Sequence, residues 1–391
     1  MSRWLCVTLF LLLPIPAGSF EEVARSDELR ALVKKYEAEL LKVRLRPALP
    51  PLPDDAEARP GRRPGRRRDR QPGGRVPWRP LPPAPGPSRR DRGVSKPPLN
   101  ERIAVSALLR GYQLAPGLMR HARRRLVRAT WNRTPGWRKA IAGNARVIFG
   151  EAITDEEIEM FGCGVLENMQ RYMDDLVAAT RSSEEELRGR LEACSGNEEY
   201  LDLRRKGGGA VIISMHMGDF EAAAAYINKH DAPIHVLYQR DQISLLERLR
   251  ARARKRIGVT AHAVDDGLAT WIMLNTALER NEVVAMQGDR VQPGQRGTEV
   301  CVLGRPTPLP IGPFKLAFST GAPLIPVFNW REPSGRYSVR IGSAIPVESD
   351  VISDPGNSTA LKSWADQLGG AIVAHPEQWL NVHAVWKPQE R

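Results

Sequence analysis

Short apolar runs alternate with helix-favouring stretches over the C-terminal half of the chain. The strand-like runs are residues 210–215, 234–238, 261–264, 283–286, 324–328 and 337–341. The helical stretches between them are residues 221–229, 243–257, 268–280 and 313–319. Strands joined in this way by helical crossovers predict an α/β domain with a central, mostly parallel sheet flanked by helices.

The residues before this region have helical periodicity. Residues 103–131, 137–149 and 155–188 are predicted helices, and Thr154-x-x-Glu157 forms the capping pattern that opens the last of them. The predicted fold therefore has a helical N-terminal part. A basic run, RHARRRLVR, falls at residues 120–128 and suits either an anionic membrane surface or a solvated helix face.

The first 98 residues differ in composition from the rest. Residues 1–20 are apolar but broken by two prolines, which is typical of a signal-like segment or a marginal membrane anchor. Residues 21–46 predict a short helix. If residues 1–20 are an anchor, the basic residues that follow favour a cytoplasmic location for the rest of the chain. Residues 47–98 are rich in Pro and Arg with few aliphatic side chains, which predicts a disordered linker. The folded domain is predicted over residues 99–391.

The net charge of +13 is concentrated in that linker. Residues 59–92 hold twelve Arg and only two Asp, and residues 93–391 carry a net charge of only +4. The linker could act as a solvated tether or contact anionic lipid headgroups. It contains no RNA-binding motif, so we expect no nucleic-acid partner. The four cysteines lie far apart in the sequence, which argues against a zinc site or a disulfide framework.

The segment VIISMHMGDFE, residues 211–221, holds the strongest candidate chemistry. A β-branched run ends at His216, a glycine follows, and an Ala-rich helix begins. Ligands collect at the carboxyl ends of strands in such sheets. His216 is the natural general base there, oriented by Glu221, whereas Asp219 could orient it or cap the helix. Because positions i and i+5 lie about 140° apart on a helix, His216 and Glu221 can meet only if His216 precedes the helix.

The order of several blocks resembles the bacterial late acyltransferases of lipid A biosynthesis, relatives of the glycerolipid acyltransferases. His216-x4-Glu221 resembles their H-x4-[DE] block. The other blocks are WRKAIAGNARVIF (137–149), VLYQR (236–240), AMQGDR (285–290), VLGRPTPLPIGPFKLA (302–317), TGAPLIPVF (320–328) and HPEQW (375–379). Together they span roughly residues 100–388. The chain lacks the family's Phe-Phe-Gly sequence, and its linker separates the apolar segment from the helical region.

The resemblance implies a membrane-associated acyltransferase. His216 would take a proton from an acceptor hydroxyl or amine, which attacks an acyl thioester. Arg240 or nearby backbone N–H groups would stabilise the oxyanion. Other residues implied in substrate binding are Asp289, Arg290, Gly304 and Gly312, although the glycines could equally set turns.

The implied donor is a thioester of acyl carrier protein or coenzyme A, with no other cofactor and no metal. The implied acceptor is a lipid A precursor or a related glycolipid or lysolipid. We expect the enzyme at an anionic membrane surface, the inner membrane, with its catalytic domain facing the cytoplasm. Two alternatives stay open: an acyl-ester hydrolase using the same dyad, although no G-x-S-x-G elbow is present, and a non-enzymatic anionic-lipid or nucleic-acid binder acting through the Arg-rich segment.

Overall fold

The computed structural model describes residues 99–386 except 293, 294 and 296. The predicted apolar segment (1–20), short helix (21–46) and linker (47–98) therefore lie outside the described residues. The side chains of residues 99–101, 184, 229 and 230 are not described either.

The N-terminal part is helical, with α1 Leu99–Leu114, α2 Pro116–Arg133, α3 Pro135–Phe149, α4 Asp155–Ala179 and α5 Glu184–Arg188. The helix predicted over residues 103–131 is two helices, because a proline at the first position of α2 cannot donate to the preceding turn. The helix predicted over 155–188 is likewise divided into α4 and α5.

Helices α4 and α5 both begin with a capping box. In it the hydroxyl of the first residue accepts a hydrogen bond from the backbone N–H of a glutamate three residues later, and that glutamate accepts one from the backbone N–H of the first residue. Thr154 and Glu157 cap α4, as the sequence predicted, and Ser183 and Glu186 cap α5. The second box fixes where the new helix starts and accounts for the break after α4.

The remaining elements form the α/β part. The strands are β1 Leu191–Ser195, β2 Ala210–Ser214, β3 Ile234–Tyr238, β4 Thr260–Ala263, β5 Val283–Gln287, β6 Gly297–Val302, β7 Arg305–Pro310, β8 Leu324–Arg331 and β9 Tyr337–Ile341. The helices are α6 Asn197–Arg205, α7 Phe220–His230, α8 Ser244–Arg256, α9 Leu268–Glu279, α10 Gly312–Thr320, α11 Asp350–Ser353 and α12 Thr359–Ala374.

Seven strands form the central sheet in the order β1-β9-β8-β2-β5-β3-β4, and β6 and β7 form a separate hairpin. Neighbouring strands are parallel except β8 and β9, which are antiparallel. The predicted α/β class with a mostly parallel sheet is confirmed.

Two apolar cores cover the two faces of the sheet. Strand β2 contributes to both: Val211 and Ile213 point to one core, and Ala210 and Ile212 to the other. Helices α9, α10 and α12 pack on the first face, whereas α7 and α8 pack on the second. The sheet is thus buried on both sides, as parallel sheets require, and leaves its carboxyl edge for a site.

None of the helices described between residues 99 and 386 combines the length and apolarity needed to span a bilayer.

Candidate active site

His216 lies in the turn between β2 and α7, at the carboxyl edge of the sheet. The chain reverses there through Gly218, whose φ is +70°. A Cβ atom at this position would overlap Oδ1 of the buried Asn329. Glycine is therefore required both by the left-handed backbone and by the close approach of β8. The turn holds His216 ahead of the helix that begins at Phe220.

Asp289, and not Glu221, is the carboxylate that contacts His216. Nδ1 of His216 lies 2.6 Å from Oδ1 of Asp289. The sheet explains this pairing, because Ser214 of β2 is the register partner of Gln287 of β5. His216 and Asp289 each come two residues later, so the ends of two adjacent parallel strands deliver them side by side.

The carboxylate of Asp289 is completely buried and held in several directions. Its Oδ2 accepts a hydrogen bond from Nε1 of Trp379 at 2.9 Å and pairs with Nη2 of Arg290 at 3.1 Å. Burial alone would raise the pKa of Asp289. Electrostatic attraction to His216 and Arg290, together with the hydrogen bonds from His216 and Trp379, outweighs that effect and holds the pKa well below its usual value.

The environment also keeps His216 neutral. Burial and the nearby Arg290 guanidinium lower the pKa of His216 below its usual value of 6.5, although Asp289 acts in the opposite direction. A neutral imidazole that donates from Nδ1 to Asp289 has its lone pair on Nε2. With 23% of its side chain exposed, His216 combines a fixed tautomer with access to solvent. This arrangement can accept a proton.

A C-terminal strap, residues 379–386, closes over the turn that carries His216. The N–H of Leu380 donates to the carbonyl of His216 at 2.8 Å, and the Leu380 carbonyl accepts from Nη2 of Arg290 at 3.0 Å. The buried Asn144 of α3 clamps the strap at two points: its Nδ2 donates to the carbonyl of His383 at 2.9 Å, and its Oδ1 accepts from the N–H of Val385 at 3.2 Å.

The sequence pattern of the bacterial lipid A biosynthesis acyltransferases matches residues 103–388. The chain belongs to this family. It is therefore an acyltransferase.

Curated relatives of this acyltransferase come from mycobacteria. The phosphatidylinositol mannoside acyltransferase of Mycobacterium tuberculosis is 26% identical over 227 residues, which cover 57% of this chain and 69% of that protein. A protein of the same name from Mycolicibacterium smegmatis is 26% identical over 182 residues, or 46% of this chain and 57% of its own length.

Glu221 of this acyltransferase lies where we expected it but does not make the expected contact with His216. It lies in the first turn of α7, as predicted, but it is 6% exposed and its Oε2 has no hydrogen-bond partner. Burial raises its pKa, opposed by Arg254 and Arg250 of α8. The contact with Nδ1 of His216 is made by Asp289 instead, whereas the carboxylate of Glu221 lies near Arg250 and Arg254 of α8.

Asp219 is the N-cap of α7. Its Oδ1 accepts from the N–H of Ala222 at 3.0 Å, and its Oδ2 pairs with Nη1 of Arg190 at 3.1 Å. Of the two roles considered for Asp219, capping is therefore the one that its contacts provide.

Arg240 is held by two carboxylates of the loop after β4. Its guanidinium is 47% exposed and pairs with Asp265 and Asp266, at 2.8 Å to each. The end of β3 directs this side chain across the edge of the sheet toward the loop after β4. The oxyanion role that the resemblance implies for Arg240 stays a prediction. Arg290, in contrast, lies directly beside the His216–Asp289 pair.

Gly304 and Gly312, which the resemblance implied in substrate binding, lie in a hairpin turn and at the start of a helix. Gly304, with a φ of +74°, and Leu303, with a φ of +51°, form the two-residue turn of the β6–β7 hairpin. Gly312 begins α10, where a Cβ atom would lie 3.3 Å from the ring of Trp271. Gly304 therefore lies in a tight turn, which is the turn-forming alternative that the sequence left open, and Gly312 lies at a position of close packing at the start of α10.

A groove opens beside the site. It has a volume of about 700 Å³ between the end of α3, the first half of α4 and the end of α12, with Phe149, Ile153 and Met160 among its apolar walls. Asn168 and Gln378 also line a much smaller polar slot that extends to Gly218. The groove therefore leads toward the turn that carries His216. Over the described part of the chain, no cluster of three or more His, Cys, Asp or Glu side chains could hold a metal ion.

Sequence reasoning found His216, Asp289 and Arg290 but assigned Asp289 only to substrate binding. Asn144 and Trp379 lie within blocks that resemble the family, but the sequence indicated no role for either. Nothing in the sequence pointed to Leu380. Asn144, Trp379 and Leu380 each contact a segment that is distant in the sequence. Their spacing along the chain therefore carries no signal of these contacts.

Proposed function

We propose that this acyltransferase moves a fatty acyl chain from a thioester to a hydroxyl of a membrane glycolipid, with His216 as general base. The observation that carries the proposal is the 2.6 Å contact between Nδ1 of His216 and the buried Asp289, which directs Nε2 outward. This contact fixes one tautomer of His216 and supplies a negative charge to balance the imidazolium as it forms.

In the proposed reaction, Nε2 of His216 takes the proton of the hydroxyl while the hydroxyl oxygen attacks the thioester carbonyl. A carbon–oxygen bond forms and the tetrahedral intermediate then expels the thiolate, breaking the carbon–sulfur bond. The imidazolium returns the proton to the departing sulfur, so that His216 ends neutral. Asp289 stays ionised throughout, because its lowered pKa keeps it from competing for that proton.

The names of the mycobacterial relatives support the acceptor class. They act on a phosphatidylinositol mannoside, whereas the family takes its name from lipid A biosynthesis. The class shared by the two is a membrane glycolipid that offers a hydroxyl. We propose this shared class for the acceptor, and acyl carrier protein or coenzyme A for the thioester donor.

Donor chemistry also supports a location. Thioesters of either carrier are cytoplasmic compounds, and the acceptor resides in a membrane. The proposed enzyme therefore works at the inner membrane with its catalytic domain facing the cytoplasm. The basic run of α2 and the Arg-rich linker would contact anionic lipid there.

A reconstituted assay tests the function. The full-length protein would be incubated with palmitoyl-coenzyme A or palmitoyl-acyl carrier protein and, in separate reactions, with a phosphatidylinositol mannoside or a lipid A precursor in vesicles. Mass spectrometry would follow the acceptor. We expect a mass increase of one acyl group in at least one reaction, and its loss in His216→Ala.

Three results would overturn this proposal. Free fatty acid released at the same rate with and without acceptor would identify a hydrolase. Undiminished transfer by His216→Ala would remove the base from the mechanism. Binding of anionic vesicles without turnover of either thioester would support the non-enzymatic lipid binder.

A further inference from the structure

Helix α9, Leu268–Glu279, has an unusual composition for a surface helix. No Asp, Glu, Lys or Arg occurs from residue 268 to residue 278. One side is buried in the core through Leu274 and Leu278. The other side exposes Leu268, Ile272 and Met273, with 75%, 56% and 53% of their surface accessible. The helix is thus apolar around its whole circumference.

An apolar helix of this kind is normally buried in protein or in lipid. The three exposed side chains together offer on the order of a few hundred Å², whereas each partner in a stable protein interface buries roughly 800 Å². A second copy of this chain would find too little surface there. A fluid acyl layer needs no matching shape and no polar rim, and it suits a small apolar projection.

The position of the helix relates it to the site. The Arg240 pairs with Asp265 and Asp266 hold the loop just before α9. In its first turn, Trp271 contacts Gly312, and Gly312 in turn lies against Met286 near the end of β5. Three residues later the same segment reaches Asp289. The exposed start of α9 therefore belongs to the edge of the sheet where His216 lies.

We propose that the first two turns of α9 insert into the acyl layer of the membrane that contains the acceptor. The inference rests on the proposed function, in which the acceptor is a membrane lipid. It adds the surface through which the catalytic domain contacts that membrane. Leu268, Ile272 and Met273 enter the layer. Trp271, which is only partly buried, lies at the polar boundary between the inserted turn and the loop before α10.

Another candidate surface lies on α2, where Arg124, Arg125 and Arg128 are exposed. They form none of the ion pairs found among the described residues, whereas Arg120 and Arg123 are held by Asp174. This stripe supplies charge but no exposed large apolar side chain. It can add headgroup contact, but it does not explain an apolar projection.

Photo-crosslinking in the full-length protein tests the surface directly. Benzoylphenylalanine would replace Met273, with matched controls at Met160, an exposed methionine on α4, and at Glu198 on α6 beside the opposite edge of the sheet. After illumination with vesicles of phosphatidylcholine and phosphatidylglycerol, we expect lipid adducts at position 273 and none at position 198.

The outcomes decide the proposal. Adducts at position 160 without adducts at 273 would move the docking surface to the groove and overturn the inference. Crosslinks from position 273 to protein, with or without vesicles, would show that the N-terminal 98 residues or a second copy covers α9, and would overturn it too. None of these readouts needs catalysis, so the failure of the proposed function would be recognised separately.

A functional variant adds a second test. Ile272→Ser combined with Met273→Ser should lower the rate with a vesicle-borne glycolipid acceptor by about tenfold, because two apolar side chains no longer enter the layer. The rate with the same acceptor in detergent micelles should not change, and Ile103→Ser, at an exposed position on α1, should leave both rates unchanged. Equal losses in vesicles and micelles would contradict the membrane role.

Discussion

At the scale of single residues, a buried carboxylate in a fixed position suits His216 to the proposed role of general base. Asp289 receives hydrogen bonds from His216 and Trp379 and is paired with Arg290, so that its charge stays in place next to the imidazole. Arg290 has a further effect, because its charge lowers the pKa of His216. The same pair of strands thus sets both the tautomer and the protonation state of the base.

The first prediction concerns the pH dependence of kcat/KM. In the proposed mechanism His216 acts when neutral, and burial and Arg290 lower its pKa. The acidic limb should therefore have its midpoint below 6.5, and activity should rise to a plateau on the alkaline side of that midpoint. Arg290→Gln removes a repelling positive charge and should move the limb to higher pH. A pH–rate profile of both proteins checks this. A limb that stays in place or moves to lower pH would contradict the assigned charge effect.

Residue chemistry explains why the histidine was predictable and its partner was not. An apolar run that ends in His, Gly and an Ala-rich stretch is a local pattern, and it gives the strand, the turn and the helix. Partner choice depends on which strand lies beside β2 and in which register. The register pair Ser214 and Gln287 joins residues 73 positions apart. Glu221, only five residues after His216, was therefore the nearer candidate for the partner of the histidine.

At the scale of elements, the turn between β2 and α7 is the most constrained connection of the site. Gly218 adopts a left-handed conformation and lies against Asn329 of β8, so no side chain fits there. Asp219 follows as the N-cap. The two residues together determine where the strand ends, where the helix begins and where His216 is held.

The second prediction uses two glycines with almost equal φ. Gly218→Ala should lower the free energy of unfolding by about 2–4 kcal/mol, since strain and overlap with Asn329 add. Gly304→Ala, at a φ of +74° with open space around it, should cost only about 1 kcal/mol. Urea unfolding measures both. Equal losses would show that the approach of β8 imposes no constraint.

The third prediction concerns the clamp between α3 and the strap. Asn144→Ala removes two buried hydrogen bonds to the backbone of His383 and Val385, and should lower the free energy of unfolding by about 1–3 kcal/mol. Because the strap also holds Leu380 and Trp379 against the site, kcat should fall while KM for the thioester changes little. Loss of stability with full kcat would make the clamp purely structural.

Element prediction succeeded where apolar runs were continuous and failed where they were interrupted. Strand β1 reads LEACS, with too few apolar residues to stand out. Strand β7 contains Pro306, Pro308 and Pro310, which normally argue against a strand. Because the three prolines alternate with other residues, they occupy equivalent positions on one side of the strand in its register with β6. A hairpin that has only two strands can accommodate them there.

At the scale of the whole molecule, the fold brings together segments from both ends of the described chain. Asn144 of the helical part, His216 and Asp289 of the sheet, and the strap beginning at Trp379 meet at one edge. The order of blocks in the sequence indicated the family, whereas their convergence follows from sheet order and helix packing. The apolar start of α9 extends the same edge toward lipid.

The fourth prediction concerns the linker. Every described contact of the site lies within residues 144–386. Deletion of residues 47–98 should therefore leave the rate with a detergent-solubilised acceptor within about threefold of that of the full-length protein. Binding to anionic vesicles should weaken, because twelve arginines are lost. Abolished turnover in detergent would place a catalytic contribution in the deleted segment.

The central claim is that Asp289 orients the catalytic base His216 and Glu221 does not. The most direct measurement is the steady-state rate of acyl transfer by Asp289→Asn and Glu221→Gln, side by side with the wild-type protein and with folding checked by circular dichroism. We expect Asp289→Asn to lose about a hundredfold to ten-thousandfold in kcat, because the asparagine favours the wrong tautomer and carries no charge. Glu221→Gln should stay within about tenfold of the wild type. A large loss in Glu221→Gln together with a nearly normal rate in Asp289→Asn would contradict the claim.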